Sequence, residues 1–269
     1  MKQTPILNPE LSIKESPAFY RIVAHMIGDG SASGNHVPYY ANTCKQLREQ
    51  FKTDLNIFGE VKIYERKPNT TPIVYFPKVI TDILSHILKI RFSYPDHIPK
   101  QIFNASDECK SAFLRALFDD EGTISTNLAI SMSNFNLIKE LRILVGSLGI
   151  GTNNILIKKN KSYKDNFYLS IKRNYFKEFK EKIGFDHPEK MRNLEFAIVT
   201  RNREQRTRNS KQIEKQVIEY LKDNSMKTLD LANKLQFSLN YTLNFLKIME
   251  KERKIKRSGF KNKIIWSLT

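Results

Sequence analysis

The sequence is poor in cysteine, short of acidic residues relative to basic ones, and without long apolar runs. Its two cysteines, Cys44 and Cys109, are the only ones in 269 residues and have no CxxC or Cys/His companions. That spacing excludes a disulfide framework and a cysteine-based zinc site, and both read as ordinary buried thiols. No apolar run nears the roughly 20 residues a bilayer span requires. The opening MKQTPILNPE also lacks the apolar stretch of a secretory leader. An intracellular protein, in cytoplasm or nucleoid and with no membrane partner, is therefore expected. Acidic residues number 28 against 45 Lys and Arg, leaving a formal charge of +17. Such an excess points to a polyanionic partner, and inside cells nucleic acid is the commonest. Hydrophobic residues, at 40%, suffice to fill a core in one large or two modest domains.

What the chain does contain is an internal repeat. The segments FYRIVAHMIGDGSAS, from Phe19, and FLRALFDDEGTIST, from Phe113, are both apolar helical runs that end in an acid followed by glycine. Asp29 and Glu121 stand 92 residues apart, as do Gly59 and Gly151. Asp96-His97-Ile98-Pro99-Lys100 is echoed by Asp186-His187-Pro188-Glu189-Lys190 at a spacing of 90. Three landmarks in one order point to duplication rather than chance. Each copy reads as helix, two strands, helix, two strands, helix, giving an α+β fold with antiparallel sheets. In the first copy Ser16 is the expected N-cap and Pro17 the first helical residue, with the helix running to Asp29 and Gly30 as its stop. Strands follow in 33–42, then a helix over 44–55, EVKIYERK and PIVYFP paired around a turn at 68–70, and a helix over 78–88. The second copy repeats this with TISTNLAISMS, a helix over 137–148, the strands NNILIKKN and NFYLSIKR, and a helix over 175–183.

Period-two alternation assigns the strand faces. Val61 and Ile63 point one way while Lys62, Tyr64 and Arg66 point the other. Tyr168, Ser170 and Lys172 likewise oppose Phe167, Leu169 and Ile171. A polar outer face is the default of any antiparallel sheet, but the mixture of aromatic and basic residues, Tyr39, Tyr40, Lys62, Tyr64, Arg66, Tyr168, Lys172 and Arg173, favours a nucleic-acid surface.

A helix C-terminus carries partial negative charge, so a carboxylate there costs roughly 0.3–1 kcal/mol. Its recurrence at both equivalent ends marks a hard-oxygen corner suited to a divalent cation. Small residues, Ala24, Gly28 and Ala116, would let the two helices approach closely enough to bring Asp29 and Glu121 to shared metals.

IVAHMIGDG (residues 22–30) and LRALFDDEG (residues 114–122) resemble the paired signature of the LAGLIDADG homing endonucleases in their single-chain, two-motif form. The resemblance covers residues 15–200. It implies that Asp29 and Glu121 are catalytic metal ligands for magnesium or manganese, and that the motif helices form the interface between halves. It further implies a saddle of strands over double-stranded DNA, a monomer with internal pseudo-two-fold symmetry, and cleavage of both strands across the minor groove with short 3′ overhangs. The family often places a basic residue near the scissile phosphates, for which Lys100 and Lys190 are the symmetric candidates. Three positions depart from the pattern. His25 replaces an aliphatic residue and is expected to be packed or hydrogen-bonded rather than a ligand. Ile27 stands where an acid is frequent. Asp120 occupies a usually small position and is expected to loosen the interface or face solvent. Some inteins carry the same nuclease, but Met-Lys at the start and Ser-Leu-Thr at the end do not fit splicing, so a free-standing, intron-encoded type is expected.

The repeats occupy residues 1–104 and 105–200. A basic stretch over 201–211 reads as a linker touching phosphate. Residues 212–269 then read as three helices and a basic hairpin turning near Ser258-Gly259, resembling a winged helix-turn-helix. Ser238 would cap the third helix, with Leu239, Leu243 and Leu246 in the core. Asn240, Tyr241, Asn244 and Lys247 would face DNA, and Lys256, Arg257, Lys261 and Lys263 would form the wing. Two other functions share this architecture: a non-cleaving transcription regulator, since some sporulation regulators join a degenerate form of the fold to a helix-turn-helix, and an RNA maturase.

Overall fold

The computed structural model describes residues 6–10, 12–34, 36–66, 70–124, 127–159, 165–199, 210–237, 239–259 and 264–269. The chain divides into two compact units, Met1–Met191 and Arg192–Thr269. Part of the turn expected at 68–70, the basic stretch 201–209, Ser238, Lys261 and Lys263 lie outside the described residues, as does the side chain of Asn240.

The first unit begins with strand β1 (Ile6–Leu7) and helix α1 (Pro17–Ile27). Ser16 caps α1 as its spacing predicts, its hydroxyl accepting the Phe19 N–H, with Pro17 at the first turn. The helix ends at Ile27 with Gly28 as cap, two residues short of the expected Asp29, which lies in the following turn. Strands β2 (Gly30–Ser31) and β3 (Tyr39–Ala41), helix α2 (Lys45–Asp54), strands β4 (Glu60–Val61), β5 (Tyr64–Arg66) and β6 (Ile73–Tyr75), and helix α3 (Lys78–Leu88) complete the first half. The run EVKIYERK is therefore not one strand. Val61 pairs with Ile6 in a two-stranded sheet, while Tyr64–Arg66 pairs with β6, so the chain bends between them.

After the short helix α4 (Lys100–Asn104), the second half repeats the plan with α5 (Asp107–Glu121), β7 (Gly122–Ile124), β8 (Leu128–Met132), α6 (Phe135–Ser147), β9 (Leu156–Lys158), β10 (Asn166–Ser170) and α7 (Phe176–Lys182). The Ser106 hydroxyl accepts the Cys109 N–H and caps α5 as Ser16 caps α1. The two four-stranded sheets have the same antiparallel topology, β2-β3-β6-β5 in one half and β7-β8-β10-β9 in the other. That equivalence is the duplication expressed as structure.

Helices α1 and α5 pack against each other at the centre of the unit. Helix α1 is buried nearly all round, with Phe19, Tyr20, Ile22, Val23, Ala24 and Met26 at 1% exposure or less, as a central rather than a surface helix must be. Phe113, Leu114, Ala116, Leu117 and Phe118 do the same on α5. Cys109 is buried and Cys44 only half-buried, both as free thiols.

Helix α8 (Pro188–Val199) crosses the boundary between units. The second unit continues with α9 (Ser210–Leu221), β11 (Met226–Lys227), α10 (Thr228–Leu235), α11 (Leu239–Lys251), β12 (Ile255–Ser258) and β13 (Ile265–Leu268), the strands ordered β11-β13-β12. Its core gathers Ile213, Val217, Leu221, Leu231, Leu246 and Trp266. The Trp266 indole N–H donates to the Thr228 hydroxyl at 2.8 Å, so the buried ring keeps its polar atom satisfied. Leu239 and Leu243 are partly buried against the cores, as expected. Among the described residues no helix is long and apolar enough to cross a membrane.

Candidate active site

The acid-glycine ends of α1 and α5 have one steric cause. A Cβ on Gly30 would meet the Met26 Cα at 2.5 Å, and one on Gly122 would meet the Phe118 carbonyl oxygen at 2.4 Å and its Cα at 3.0 Å. In both halves the chain turns so sharply onto its first strand that only glycine fits behind the acid. Asp29 is thereby held just beyond α1 and Glu121 at the last residue of α5, where the chain enters β2 or β7.

Burial pushes the Asp29 carboxyl up to about 6, with the charge of Asp120 adding to the shift. Glu121 is pushed up to about 7 by burial and then by the charges of Asp29 and Asp120. The charge of Asp29 therefore reaches Glu121, and burial makes each of the two signature carboxyls harder to ionise than an exposed one. Lys190 offsets part of this, drawing both values down. It is deeply placed, and burial lowers its own ammonium against the pull of four acids, Asp119, Asp120, Asp29 and Glu121. Its Nζ donates to the Phe118 carbonyl at 3.1 Å and to that of Asp119, supplying the C-terminal cation that the α5 dipole favours. Lys100 is not its structural twin. It is exposed at the first position of α4 and is not among the charges acting on either carboxylate.

Asp120 departs from both expectations for it. Its carboxylate is fully buried, 2.8 Å from His25 Nδ1, and it accepts the Tyr40 hydroxyl at 2.8 Å and the Asn42 amide at 3.1 Å. Burial favours a neutral imidazole, but the charge and hydrogen bond of Asp120 outweigh it and hold His25 above its ordinary value. A buried ion pair thus fastens α5 to α1 and β3, with His25 packed and hydrogen-bonded as expected. Tyr40, expected on the open sheet face, belongs to this network. It is fully buried because its neighbour in register is Val74 on the helix-covered side.

Sequence reading missed Asn42. Its amide also donates to Asp29 Oδ2 at 3.0 Å, while its Oδ1 accepts the Cys44 N–H at 2.8 Å. One side chain therefore ties a signature carboxylate to the buried Asp120. The only signal in the sequence was its place directly after β3, which runs back antiparallel to the strand that follows Asp29. Asp119 was also passed over. It accepts the backbone N–H groups of Asp186 at 3.0 Å and His187 at 2.9 Å, and burial nevertheless pushes it up to about 7. In the first half Ile27 has no carboxylate to offer the equivalent loop, and Glu140 from α6 accepts the Ile98 N–H instead.

On the open face of the first sheet, Tyr39, Tyr75 and Tyr64 lie in one register row. Their ring centroids are 5.8 and 6.1 Å apart, and Tyr64 is 66% exposed. Tyr75 completes a row of which only the outer two were anticipated. Lys62 and Arg66 are exposed nearby, and in the second half Tyr168 is half-buried while Lys172 and Arg173 are exposed. In the second unit Asn244, Lys247, Lys256 and Arg257 are exposed. Arg257 is engaged by Glu250 at 3.0 Å, and Tyr241 is half-buried against Phe237 at 4.8 Å. Among the described residues no group of three or more His, Cys, Asp or Glu side chains is gathered as a metal cluster. Any cation at Asp29 and Glu121 would complete its shell with ligand and solvent oxygens.

Residues 108–184 match the family described as LAGLIDADG-like domain. Among curated proteins the chain is 25% identical over 198 residues to glutamine–fructose-6-phosphate aminotransferase [isomerizing] of Methanocaldococcus jannaschii, covering 68% of this chain and 18% of that one. It is 29% identical over 129 residues to the uncharacterized protein MJ1054 of the same organism, covering 45% and 14%. The chain thus spans less than a fifth of the length of these relatives. Among solved structures it is similar to the homing endonuclease I-DmoI in complex with DNA and Mn, at a TM-score of 0.47 and 17% identity over 63% of this chain and 97% of that one. It is also similar to full-length DUF199/WhiA from Thermatoga maritima, at 0.47 and 13% over 91% and 93%.

Proposed function

We propose that the chain is a site-specific endonuclease of the homing type that binds double-stranded DNA and hydrolyses phosphodiester bonds, with Asp29 and Glu121 holding magnesium or manganese. The carrying observation is the pair of signature carboxylates, set by matching helix ends at the centre of a duplicated unit, both raised by burial and near enough that the charge of Asp29 adds to the rise at Glu121. A protein that only binds DNA gains nothing from two largely buried carboxyls near phosphate. The pair fits a divalent cation because it offers hard oxygens whose ionisation is incomplete without one. Bound there, the cation supplies Lewis acidity toward a phosphoryl oxygen and lowers the pKa of water. This chain's own residues do the rest. Asn42 orients Asp29, Asp120 and His25 lock the helix interface on which both acids ride, and Lys190 places a cation beside the developing negative charge. The open sheet faces, with Tyr39, Tyr64, Tyr75, Lys62, Arg66, Tyr168, Lys172 and Arg173, would lie over the duplex and position it through phosphate and base contacts.

The arrangement of helix, strand, helix, helix and hairpin in the second unit supports a winged helix-turn-helix that adds DNA contacts through Asn244, Lys247, Lys256 and Arg257. That same unit favours the second reading, a DNA-binding regulator that does not cut. One experiment separates the two. Purified protein is incubated with a plasmid library and magnesium beside Asp29→Asn and Glu121→Gln. Metal-dependent cuts that fall roughly a thousandfold in either variant support the nuclease, because a metal's Lewis acidity is worth several kcal/mol. Tight binding by wild type without cutting supports the regulator.

A further inference from the structure

The two halves are joined by a segment with no full counterpart in the repeat. Asp96 lies eight positions beyond the end of α3 at Leu88, whereas Asp186 lies only four beyond the end of α7 at Lys182. The longer connection alternates. Ile90 and Phe92 are buried at 2% and 4%, while Lys89, Arg91 and Ser93 are exposed. Two apolar anchors therefore hold the cations outward on a fixed stretch of chain, which lowers the entropy lost when they engage a ligand. Lys89 itself ends α3 in a left-handed conformation, φ 55°, uncommon for a residue with a side chain.

These residues form one wall of a groove of about 1410 Å³ whose far wall is the second sheet and the start of α6, with Ser131, Asn134 and Asn166 contributing polar groups. The groove opens onto Gly28 and Glu121, and Asp29 does not line it. Its other carboxylate, Asp96, is 2.6 Å from His97 Nδ1. Among the described residues neither Lys89 nor Arg91 forms an ion pair. The result is a polar channel with two exposed cations, Lys89 and Arg91, the second already acting on Asp96, together with an exposed tyrosine, Tyr94 (80% exposed), and amide and hydroxyl donors, all leading to one of the two signature carboxylates.

We propose that this groove is a phosphate track that carries one strand of a DNA duplex to Glu121, and that the equivalent connection in the second half, Ile183-Gly184-Phe185, which carries no cation, gives the strand approaching Asp29 no such guide. The inference rests on the nuclease reading for its strand assignment but not for the track itself. Phosphate contacts from Lys, Arg, Ser, Asn and Tyr fix register on a duplex without reading sequence, and that is the chemistry assembled here.

The test is the double variant Lys89→Ala/Arg91→Ala, whose replaced side chains are exposed, so its melting temperature is expected to match wild type. In metal-free buffer, the anisotropy of a fluorescein-labelled random-sequence duplex is titrated with protein at a series of KCl concentrations. Loss of the two contacts lowers the slope of log affinity against log salt by about 0.9 per cation. An unchanged slope overturns the track, whether or not the protein cuts DNA, so failure of the nuclease reading alone leaves this result standing. With magnesium and supercoiled plasmid, the variant is expected to accumulate nicked circles because one strand is cut slowly. Equal slowing of both strands overturns the strand assignment.

Discussion

Asp29 and Glu121 differ from ordinary surface carboxylates in what ionisation costs them. Their values of about 6 and about 7 stand against ordinary ones of 3.8 and 4.5. A carboxyl raised by folding favours the folded state only while protonated. Its contribution is thus complete near pH 4 and is lost as pH rises through about 6 for Asp29 and about 7 for Glu121. A tenfold change in proton affinity is worth about 1.4 kcal/mol, so in the metal-free protein the two together lower stability by a few kcal/mol across that window. Asp119, raised to about 7, acts in the same direction. Melting curves of wild type, Asp29→Asn and Glu121→Gln between pH 4 and pH 8 check this. The variants are expected to gain on wild type as pH rises, and variants that lose ground over that interval would refute the repulsion. Magnesium, which needs both acids ionised, is expected to raise the wild-type midpoint more at alkaline than at acidic pH. The identity of these two acids was legible in sequence because acid-glycine after an apolar helix is a local pattern that occurs twice. Their shifted ionisation was not legible, because burial and the cross-half charges, Asp120 on Asp29 and Asp29 on Glu121, arise only when the two halves pack together.

Between elements, the decisive contact is the seam of α1 and α5. Asp120 is bound by His25, Tyr40 and Asn42, which lie 95, 80 and 78 residues away in sequence. Replacing Asp120 by Ala strands a buried imidazolium and a hydroxyl and leaves the Asn42 amide only its Asp29 acceptor, and is expected to cost about 3–5 kcal/mol. A Cβ on Gly28 would sit 2.9 Å from the Asp120 Cβ and 3.0 Å from its Oδ2, so Gly28→Ala should cost about 1–3 kcal/mol by overpacking. Because the two residues press on each other, the penalties should not add. Urea unfolding of both single variants and the double variant gives the coupling, expected at about 1 kcal/mol or more; additivity would mean that the helices are not in this contact. A small residue at position 120 would have fitted the seam without any of these partners. The sequence therefore indicated that something unusual stood there, but its resolution into a buried charge pair required knowing that β3 passes over the helix end.

At the scale of the molecule, duplication is approximate, and the departures sit next to the acids. Lys190 reaches the end of α5 while Lys100 stays exposed; Asp119 secures the loop at 186–187 while Glu140 secures Ile98. The second unit adds exposed Asn244 and Lys247 on α11. If α11 enters the major groove, Lys247→Ala should reduce the salt slope of DNA affinity by about 0.9, and Asn244→Ala should weaken binding by about 1–3 kcal/mol at a preferred sequence. Electrophoretic mobility shifts at several salt concentrations measure both, and two unaffected variants would remove α11 from the interface. By itself the sequence determined the duplicated helix-strand plan, the two acids and the basic character, since helix caps, period-two strands and acid-glycine turns are set by residues a few positions apart. Only the tertiary structure decided that Tyr40 and Asp120 are buried, that Asn42 holds Asp29 and that one lysine of a matched pair lies beside the acids. Each of those depends on desolvation and on partners brought from the opposite half, which no local pattern encodes.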